Sequence, residues 1–224
     1  MAKDYSVFDI VGPNMIGPSS SHTAGAARLG KIASKIAGKP VKEVNFLLHG
    51  SFAETYKGHG TDKALVGGIL GFKPDDARIK NSFELAQQAG LKFEFTKADL
   101  GENVHPNTVK MEMVLEDGSK SDVMGASIGG GNIKLTEMDG LGLDFNGSKS
   151  AVVLEIKDIP GAVSFVTGLL AHNNKNIATM STNKPAKSEY TFVTIETDDS
   201  LEKDLINQLD KFEVVEKVVV LDKF

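Results

Sequence analysis

The chain has 224 residues, of which 41% are hydrophobic and 25% charged, an ordinary composition for a soluble globular protein of two unequal domains. The net charge of −5 without a Lys/Arg cluster argues against nucleic-acid binding, and the absence of Cys excludes disulfides and any cysteine-ligated metal cluster built by this chain alone. No apolar run approaches the roughly 18 residues of a membrane helix and the N-terminus lacks an apolar signal core, so we expect a cytoplasmic protein without a membrane partner.

The first informative stretch begins at Gly12 and contains two Gly-Pro steps, three consecutive serines, His22 and a threonine. The Ala-rich segment that follows predicts a helix over about 24–37, with Ser20 or Ser21 as its N-cap. Hydroxyls, backbone N–H groups and His22 would then meet at the positive end of a helix, which suits a carboxylate or a phosphate. A solvated cap with surplus serines is the alternative, but the Gly-Pro framing and the His-Thr continuation favour a function.

A second polar motif follows a predicted strand. Residues 42–48 alternate apolar and polar side chains and lead into His49-Gly-Ser51. Gly58-His-Gly-Thr-Asp62 then opens a predicted helix through Leu70, with its Thr or Asp as the cap. Glycines on both sides of His59 let a substrate approach the backbone. A lone histidine is more often a surface residue, but two histidines at two glycine-framed helix starts favour a shared site.

Further polar groups surround a predicted hairpin. A helix and a strand are expected over 81–96, and a hairpin with strands at 109–115 and 121–128 comes next. The following proline restricts His105 to an extended conformation, so that its ring can point into a cleft. A loop histidine is an equally good interpretation. The three glycines at 129–131 can form an anion-binding nest of backbone N–H groups or a flexible bend.

The C-terminal part shows regular elements in the order βαββαβ. We predict a strand at 151–156, a helix after Asp158-Ile-Pro-Gly161, strands at 176–182 and 190–197, a helix capped by Asp199 or Ser200, and a strand at 214–221. This order predicts a ferredoxin-like fold, with two helices on one face of a four-stranded antiparallel sheet. The polar segment 145–150 is typical of a linker. We therefore expect an α+β chain with domains at 1–147 and 150–224.

Two motifs of the C-terminal domain resemble those of ACT domains: Asp158-Ile-Pro-Gly161 before the first helix and Asn176-Ile-Ala-Thr-Met180 in the second strand. The resemblance implies homodimers formed through the sheets and a regulatory amino-acid site near Asp158 and Gly161. Gly161 would let the backbone approach a ligand, and the helix N-terminus offers N–H groups to a carboxylate. A tight strand-to-helix turn with a structural or dimerising role is the alternative.

The polar motifs of the N-terminal domain, with this domain behind them, resemble the β subunit of the bacterial, oxygen-sensitive L-serine dehydratases that use a 4Fe–4S cluster. These motifs are Gly17–Thr23, His49–Ser51, Gly58–Asp62, His105–Asn107 and Ser127–Ile133. The N-terminal domain also resembles the allosteric-substrate-binding domain of some phosphoglycerate dehydrogenases.

The dehydratase resemblance implies an L-serine ammonia-lyase that forms pyruvate and ammonia. In that family an open iron of the cluster acts on the departing hydroxyl, a base removes the α-proton, and the resulting aminoacrylate hydrolyses. The cysteines that bind the cluster belong to a separate α subunit, which fits the absence of Cys here. This chain would ligate no cofactor itself, and its partners would be the α subunit and L-serine.

The resemblance implies catalytic roles for His59, His22 and His105. It implies substrate binding by a second set of residues: Ser20, Ser21, Thr23, Thr61, Asp62 and Asn107. His59 is the first candidate for acid–base work, because an unperturbed histidine titrates at about pH 6.5. His49 and His172 are weaker candidates, and a cation at His172, which ends a predicted helix, suits the helix dipole.

Two other functions stay open. The chain can be a non-catalytic regulatory protein that senses an amino acid or an anion, or a lyase complete in itself that uses a lysine-bound aldehyde cofactor. Motifs of other classes are missing: the sequence has no phosphate-binding loop of nucleotide hydrolases and no Gly-x-Ser-x-Gly elbow. The glycines at 129–131 lack the strand-then-helix setting of a dinucleotide fingerprint.

Overall fold

A computed structural model of the protein describes residues 14–186 and 188–223. The Gly12-Pro13 step of the first motif therefore lies outside the described residues. The chain divides into two units, Met1–Gly140 and Leu141–Phe224, and the predicted linker at 145–150 follows this division. Within the described ranges, none of the helices has the length and apolar character that a membrane span requires.

The first unit combines a mixed β-sheet with helices. Its elements are, in chain order, a π-helix (Ser20–Gly25), α1 (Ala26–Ala37), β1 (Val41–Leu48), α2 (Gly50–Thr55), α3 (Thr61–Ile69), a 3₁₀-helix (Ala77–Asn81), α4 (Ser82–Gln88), β2 (Lys92–Lys97), β3 (Thr108–Leu115), β4 (Lys120–Gly129) and β5 (Asn132–Met138). The strands of this unit run in the order β2-β1-β3-β4-β5. β1 is parallel to β2, and the other neighbours are antiparallel.

Buried apolar residues alternate with more exposed residues along β1, and the buried ones contribute to the core of this unit. Val44, Phe46 and Leu48 of β1 are buried while the residues between them are partly exposed, as expected for a strand with one covered face. α1 and α3 approach until their backbones touch: a Cβ at Gly30 would lie 2.4 Å from the carbonyl oxygen of Leu65. This close packing fixes the positions of α1 and α3 relative to each other. His22 lies in the π-helix directly before α1, and His59 lies in the turn before α3.

The start of the first helix differs from the prediction. The helix expected over about 24–37 begins earlier, as the π-helix at Ser20, and continues without a break into α1. Its N-cap is Ser19, one residue before the predicted Ser20 and two before Ser21, because the Ser19 hydroxyl accepts the backbone N–H of His22 at 3.2 Å. A capping hydroxyl serves the N–H group two or three residues further on.

The start of α3 also differs. The predicted Thr or Asp cap is wrong, since the N-cap is Gly60 in a left-handed conformation, with φ +69°, and makes no side-chain hydrogen bond. Glycine adopts this conformation at little cost, which lets Thr61 and Asp62 occupy the first turn of the helix instead. The short helix α2 and the strand β5 were not predicted.

The second unit has the predicted ferredoxin-like topology, which confirms the α+β class. After a short strand β6 (Leu141–Phe145), its elements are β7 (Ser150–Lys157), α5 (Ala162–His172), β8 (Ile177–Asn183), β9 (Tyr190–Thr197), α6 (Lys203–Asp210) and β10 (Val215–Leu221). The sheet has the order β10-β7-β9-β8. Apolar residues of β7, β9, α5 and α6 form its core. α6 is capped by Glu202, so the predicted caps Asp199 and Ser200 are wrong.

Candidate functional site

Residues that follow or precede three strands meet at one edge of the first sheet. β1 ends beside the start of β3, because Leu48 pairs with Val109 across the ladder. β3 starts beside the end of β4, where Thr108 pairs with Ala126. The backbone N–H of His49 donates to the carbonyl of Thr108 at 3.0 Å. The motifs after β1, before β3 and at the end of β4 are therefore neighbours.

The turn after β1 packs against the loop before β3. Gly50 has φ +55°, and a Cβ there would lie 2.7 Å from backbone atoms of Pro106. The N–H of Phe52 donates to the carbonyl of Pro106 at 3.3 Å. Both the positive φ and the close approach require glycine, so Gly50 determines where α2 begins and where Ser51 lies.

The π-helix packs against the end of β4 at the same edge. A Cβ at Gly25 would lie 2.1 Å from the hydroxyl of Ser127, so a side chain at residue 25 does not fit without movement. Ser127 is joined in turn to Asn107 by two hydrogen bonds, from its N–H at 3.0 Å and from the Asn107 amide at 3.5 Å. The π-helix that contains the first motif, the fourth motif at His105–Asn107 and the last motif at Ser127–Ile133 are thus in contact.

His22 connects the motifs through its ring. Its Nδ1 lies 3.4 Å from the Ser19 hydroxyl and its Nε2 lies 3.2 Å from the Ser51 hydroxyl. The ring lies 4.9 Å from that of His59 and packs edge-on against Phe52, with 5.3 Å between centroids. Burial and, second, the neighbouring His59 lower the pKa of His22. At neutral pH its imidazole is therefore uncharged and able to accept a proton.

His59 lies in the turn before α3 and is exposed. Its backbone carbonyl accepts a hydrogen bond from the Thr23 hydroxyl at 3.3 Å. Thr23 is 2% exposed and belongs to the π-helix, so this bond ties the turn of His59 to the helix of His22. The structure thus brings two of the three predicted catalytic histidines together, and leaves the ring of His59 open to a ligand.

Three hydroxyls and a carboxyl of the predicted binding set lie in the first turns of the two helices. Ser20 and Ser21 are half-buried in the π-helix. Thr61 is fully buried, and its hydroxyl finds no hydrogen-bond partner among residues 14–186 and 188–223. Burial raises the pKa of the Asp62 carboxyl, which accepts the N–H of Lys63 at 2.8 Å. Buried polar groups normally have partners, so the Thr61 hydroxyl is an exception among the described residues.

The third predicted histidine is oriented differently. His105 is exposed, and its Nδ1 accepts the backbone N–H of Asn107 at 3.1 Å. The carbonyl of His105 accepts the hydroxyl of Thr108 at 2.7 Å. The ring is thus held by its own loop, while Asn107 reaches Ser127 as described. His105 stays a predicted catalytic residue, and its hydrogen bonds are to its own loop and the start of β3.

Sequence reasoning missed several polar residues of the site. Ser19 and Ser51 bind the ring of His22, and Ser127 is a buried hydroxyl without a hydrogen-bond partner in the described part of the chain. Arg28 donates from Nη1 to the carbonyl of Gly131 at 2.6 Å. Ser19 had a local signal, since it stands three residues before His22 at capping distance, and Ser51 and Ser127 fall within motifs that the sequence singled out. The other contacts join segments far apart in the chain.

The glycines at 129–131 form the turn between β4 and β5. All three have positive φ, of 100°, 61° and 80°. Successive residues in the left-handed conformation favour glycine. The backbone conformation of this turn therefore explains the three glycines, and a flexible bend is not needed to explain them. The carbonyl of Gly131 faces Arg28, so this turn is fixed to α1.

The two weaker histidine candidates make contacts outside the His22–His59 pair. Nδ1 of His49 accepts the N–H of Leu100 at 3.1 Å, which attaches the loop after β2 to the end of β1. His172 is exposed in the last turn of α5, where a positive charge suits the dipole. These positions agree with structural roles.

In the second unit, the loop before α5 contains the predicted regulatory residues. Gly161 caps α5 with φ +90° and lines an apolar cavity of about 440 Å³ together with Ile159, Phe165 and Phe212. The carboxylate of Asp158 pairs with Lys184 and accepts the Thr191 hydroxyl, contacts that lower the pKa of Asp158. Asp158 is thus already engaged by its own unit.

The residues of this chain do not fit an iron–sulfur cluster. Such clusters are held by cysteine thiolates, and the sequence contains no Cys. Within the ranges that the structure describes, no three His, Asp or Glu side chains form a group that could hold a metal ion.

The fold and the site define an α+β chain with paired histidines and converging hydroxyls at one sheet edge. The model of the family described as serine dehydratase beta chain matches residues 6–138. The L-serine dehydratase beta chain of Peptoniphilus asaccharolyticus is 48% identical over 202 residues, which cover 90% of this chain and 91% of that protein. The probable L-serine dehydratase beta chain of Bacillus subtilis (strain 168) is 41% identical over 206 residues, 92% of this chain and 93% of that protein.

The chain therefore belongs to the serine dehydratase beta chain family. A more distant similarity connects it with the D-3-phosphoglycerate dehydrogenase of Bacillus subtilis (strain 168), at 25% identity over 198 residues. That match covers 88% of this chain but only 37% of the dehydrogenase.

Proposed function

We propose that this chain is the β subunit of a two-subunit L-serine dehydratase that converts L-serine to pyruvate and ammonia. The observation that carries the proposal is the His22–His59 pair, 4.9 Å apart between ring centroids, at the edge where the family motifs converge. β-Elimination requires a group that takes a proton from the substrate, and a neutral imidazole does this at physiological pH.

Substrate binding is proposed for the polar groups around this pair. The N–H groups at the start of the π-helix, which runs directly into α1, and the hydroxyls of Ser20 and Ser21 suit the carboxylate of serine. The buried hydroxyl of Thr61 and the half-buried carboxyl of Asp62 lie at the start of α3. They suit the ammonium and hydroxyl groups of the same molecule, and Thr23 holds the two helices in place.

Proton transfer is proposed for the histidines, with His59 first. The exposed ring of His59 can contact a substrate directly. Both ring nitrogens of His22, in contrast, already face serine hydroxyls. His105, held by its own loop, and Asn107 are proposed to border the substrate on the side of β3.

The 4Fe–4S cluster is proposed to reside in a separate α subunit. The absence of Cys in this chain supports that division. When bound there, the cluster would supply a Lewis acid for the departing hydroxyl. This chain would then bind and orient the serine and exchange its protons, and it would be active only in the complex.

The second unit is proposed to act as an ACT domain that pairs two copies of the chain and responds to an amino acid. Its βαββαβ topology and the cavity at Gly161 support this role. Asp158, which is already paired within the unit, would shape the loop rather than bind the ligand.

Anaerobic affinity purification of the chain from its native cells, followed by a pyruvate assay with L-serine, tests the proposal. We expect a brown, Cys-rich partner and pyruvate formation that is lost in air. A colourless protein without a partner and without pyruvate formation, from cells in which the enzyme is made, would refute it. An absorbance band from a bound aldehyde cofactor would instead indicate a lyase complete in itself.

A sensor without chemistry is the second candidate, and the similarity of most of this chain to about a third of a phosphoglycerate dehydrogenase favours it. Calorimetric titration of the isolated chain with L-serine distinguishes the two. Tight binding without a partner, together with no turnover in any complex, would identify a sensor.

A further inference from the structure

Both ring nitrogens of His22 are hydrogen-bonded inside the chain. Nδ1 faces the Ser19 hydroxyl at 3.4 Å and Nε2 faces the Ser51 hydroxyl at 3.2 Å. A neutral imidazole has one N–H donor and one acceptor nitrogen, and a serine hydroxyl can donate or accept. His22 therefore reaches a proton on another molecule only through one of these two hydroxyls.

The hydroxyls of Ser19 and Ser51 differ in the number of hydrogen bonds that they already make within the chain. The Ser19 hydroxyl caps the π-helix by accepting the backbone N–H of His22 at 3.2 Å. Among the described residues, Nε2 of His22 is the hydrogen-bond partner of the Ser51 hydroxyl. A hydroxyl that donates to Nε2 keeps two acceptor lone pairs for another molecule. Ser51 is half-buried and follows Gly50 in the turn at the edge of the sheet. Of the two, Ser51 is the hydroxyl able to meet a ligand.

We propose that Ser51 is a catalytic proton relay, through which His22 exchanges a proton with the substrate. This inference rests on the proposed function of the same site and adds a residue to it. The relay would consist of Ser51 at Nε2 of His22 and Ser19 at Nδ1, with Ser19 holding the far side of the ring.

The relay moves one proton from the substrate to His22 through the hydroxyl of Ser51. A proton leaves the substrate and forms a bond with Oγ of Ser51, and the electron pair of the broken bond stays on the substrate. The original hydroxyl proton of Ser51 passes to the lone pair of Nε2. His22 becomes an imidazolium, whose Nδ1–H donates to the Ser19 hydroxyl, and Ser51 is again a neutral alcohol. The reverse sequence returns the proton.

The surroundings of His22 agree with this direction of transfer. Burial keeps the imidazole neutral before the step, and His59 is the titratable group that faces the ring. The neighbouring His59 is, after burial, the second cause of the lowered pKa of His22.

The variants Ser51→Ala and Ser51→Thr test the relay, with Thr55→Val as the matched control. Thr55 is in the same short helix and donates its hydroxyl to the carbonyl of Ser51 at 2.7 Å, without contacting His22. In the complex with its partner, we expect Ser51→Ala to lower kcat for L-serine by about 10²-fold or more at unchanged KM. Ser51→Thr, which keeps the hydroxyl, should restore most of the turnover, and Thr55→Val should retain it.

Nitrogen-15 NMR of the full-length chain, labelled at histidine, measures the relay without partner or substrate. We expect Ser51→Ala to shift the Nε2 resonance of His22 and Thr55→Val to leave it in place. An unmoved Nε2 resonance in Ser51→Ala, or a kcat equal to that of the unmodified complex, would overturn the relay. Absence of L-serine turnover in the unmodified complex would instead refute the proposed function, and the NMR result would still decide the hydrogen bond between Ser51 and His22.

Discussion

The two units differ in how completely their polar motif residues are hydrogen-bonded within the chain. In the first unit, hydroxyls and imidazoles from separate segments converge at the ends of strands, and some, such as Thr61, stay without a hydrogen-bond partner among the described residues. In the second unit, the singled-out carboxylate of Asp158 is paired with a lysine and a threonine of its own fold. The first unit thus leaves hydroxyls of its polar motifs unsatisfied within the described part of the chain, whereas the second unit satisfies its singled-out carboxylate within its own fold.

The largest expected effect is on turnover, in the first unit. His59→Ala should lower the rate of pyruvate formation by about 10²–10⁴-fold if His59 exchanges a proton with the substrate. His172→Ala, which removes an exposed histidine of the second unit, is the matched control and should keep the full rate. The measurement is steady-state pyruvate formation by the complex under anaerobic conditions. A His59→Ala complex with full activity would remove His59 from catalysis.

A second comparison uses one glycine from each unit. Gly25→Ala should destabilise the chain by about 1–3 kcal/mol, because the new Cβ would lie 2.1 Å from the Ser127 hydroxyl. Gly168→Ala in α5 meets open space and should stabilise the helix by roughly 0.5–1 kcal/mol. Urea unfolding of both variants gives the two free energies. Equal effects would contradict the close contact between the π-helix and β4.

The pH dependence of stability should report the burial of His22. The unfolded chain protonates this residue with a pKa of about 6.5, whereas the folded chain protonates it only at lower pH. The unfolded state therefore binds more protons below about pH 6.5, and the free energy of unfolding falls as the pH drops toward the lowered pKa. His22→Gln should lose less stability over this interval. Parallel pH profiles of the two chains would contradict a lowered pKa.

The smallest effect is expected at Asp158. Asp158→Asn removes an exposed ion pair with Lys184, and such pairs contribute little and are screened by salt. We expect a small decrease of the melting temperature at low salt, none at high salt, and unchanged pyruvate formation. A large loss of turnover would show that Asp158 has a role beyond its own loop.

The fold was predictable where local signals were strong. The βαββαβ order of the second unit followed from alternating strands and from the turn at Pro160-Gly161, and the structure confirms it. α2 was missed because six residues carry too little periodicity for a prediction. β5 was missed because the glycines before it suggested a flexible bend, whereas all three adopt the positive φ of a tight turn.

The site was predictable in its residue types but not in its contacts. His22 and His59 were singled out by their glycine- and serine-rich surroundings, and the structure brings their rings together. Ser51 could not be assigned to His22, because 29 residues separate them in the chain and the contact depends on the pairing of strands. The cap was misplaced among three adjacent serines, since the π-helical turn moves the start of the helix to Ser20.

The most direct test of the central claim is pyruvate formation from L-serine by the purified anaerobic complex, with this chain present and after its removal from the partner. Pyruvate should form only when the chain is present, and its formation should return when the unmodified chain is added back but not when His59→Ala is added. An equal rate without the chain would contradict the claim that this sheet edge binds serine and exchanges its protons.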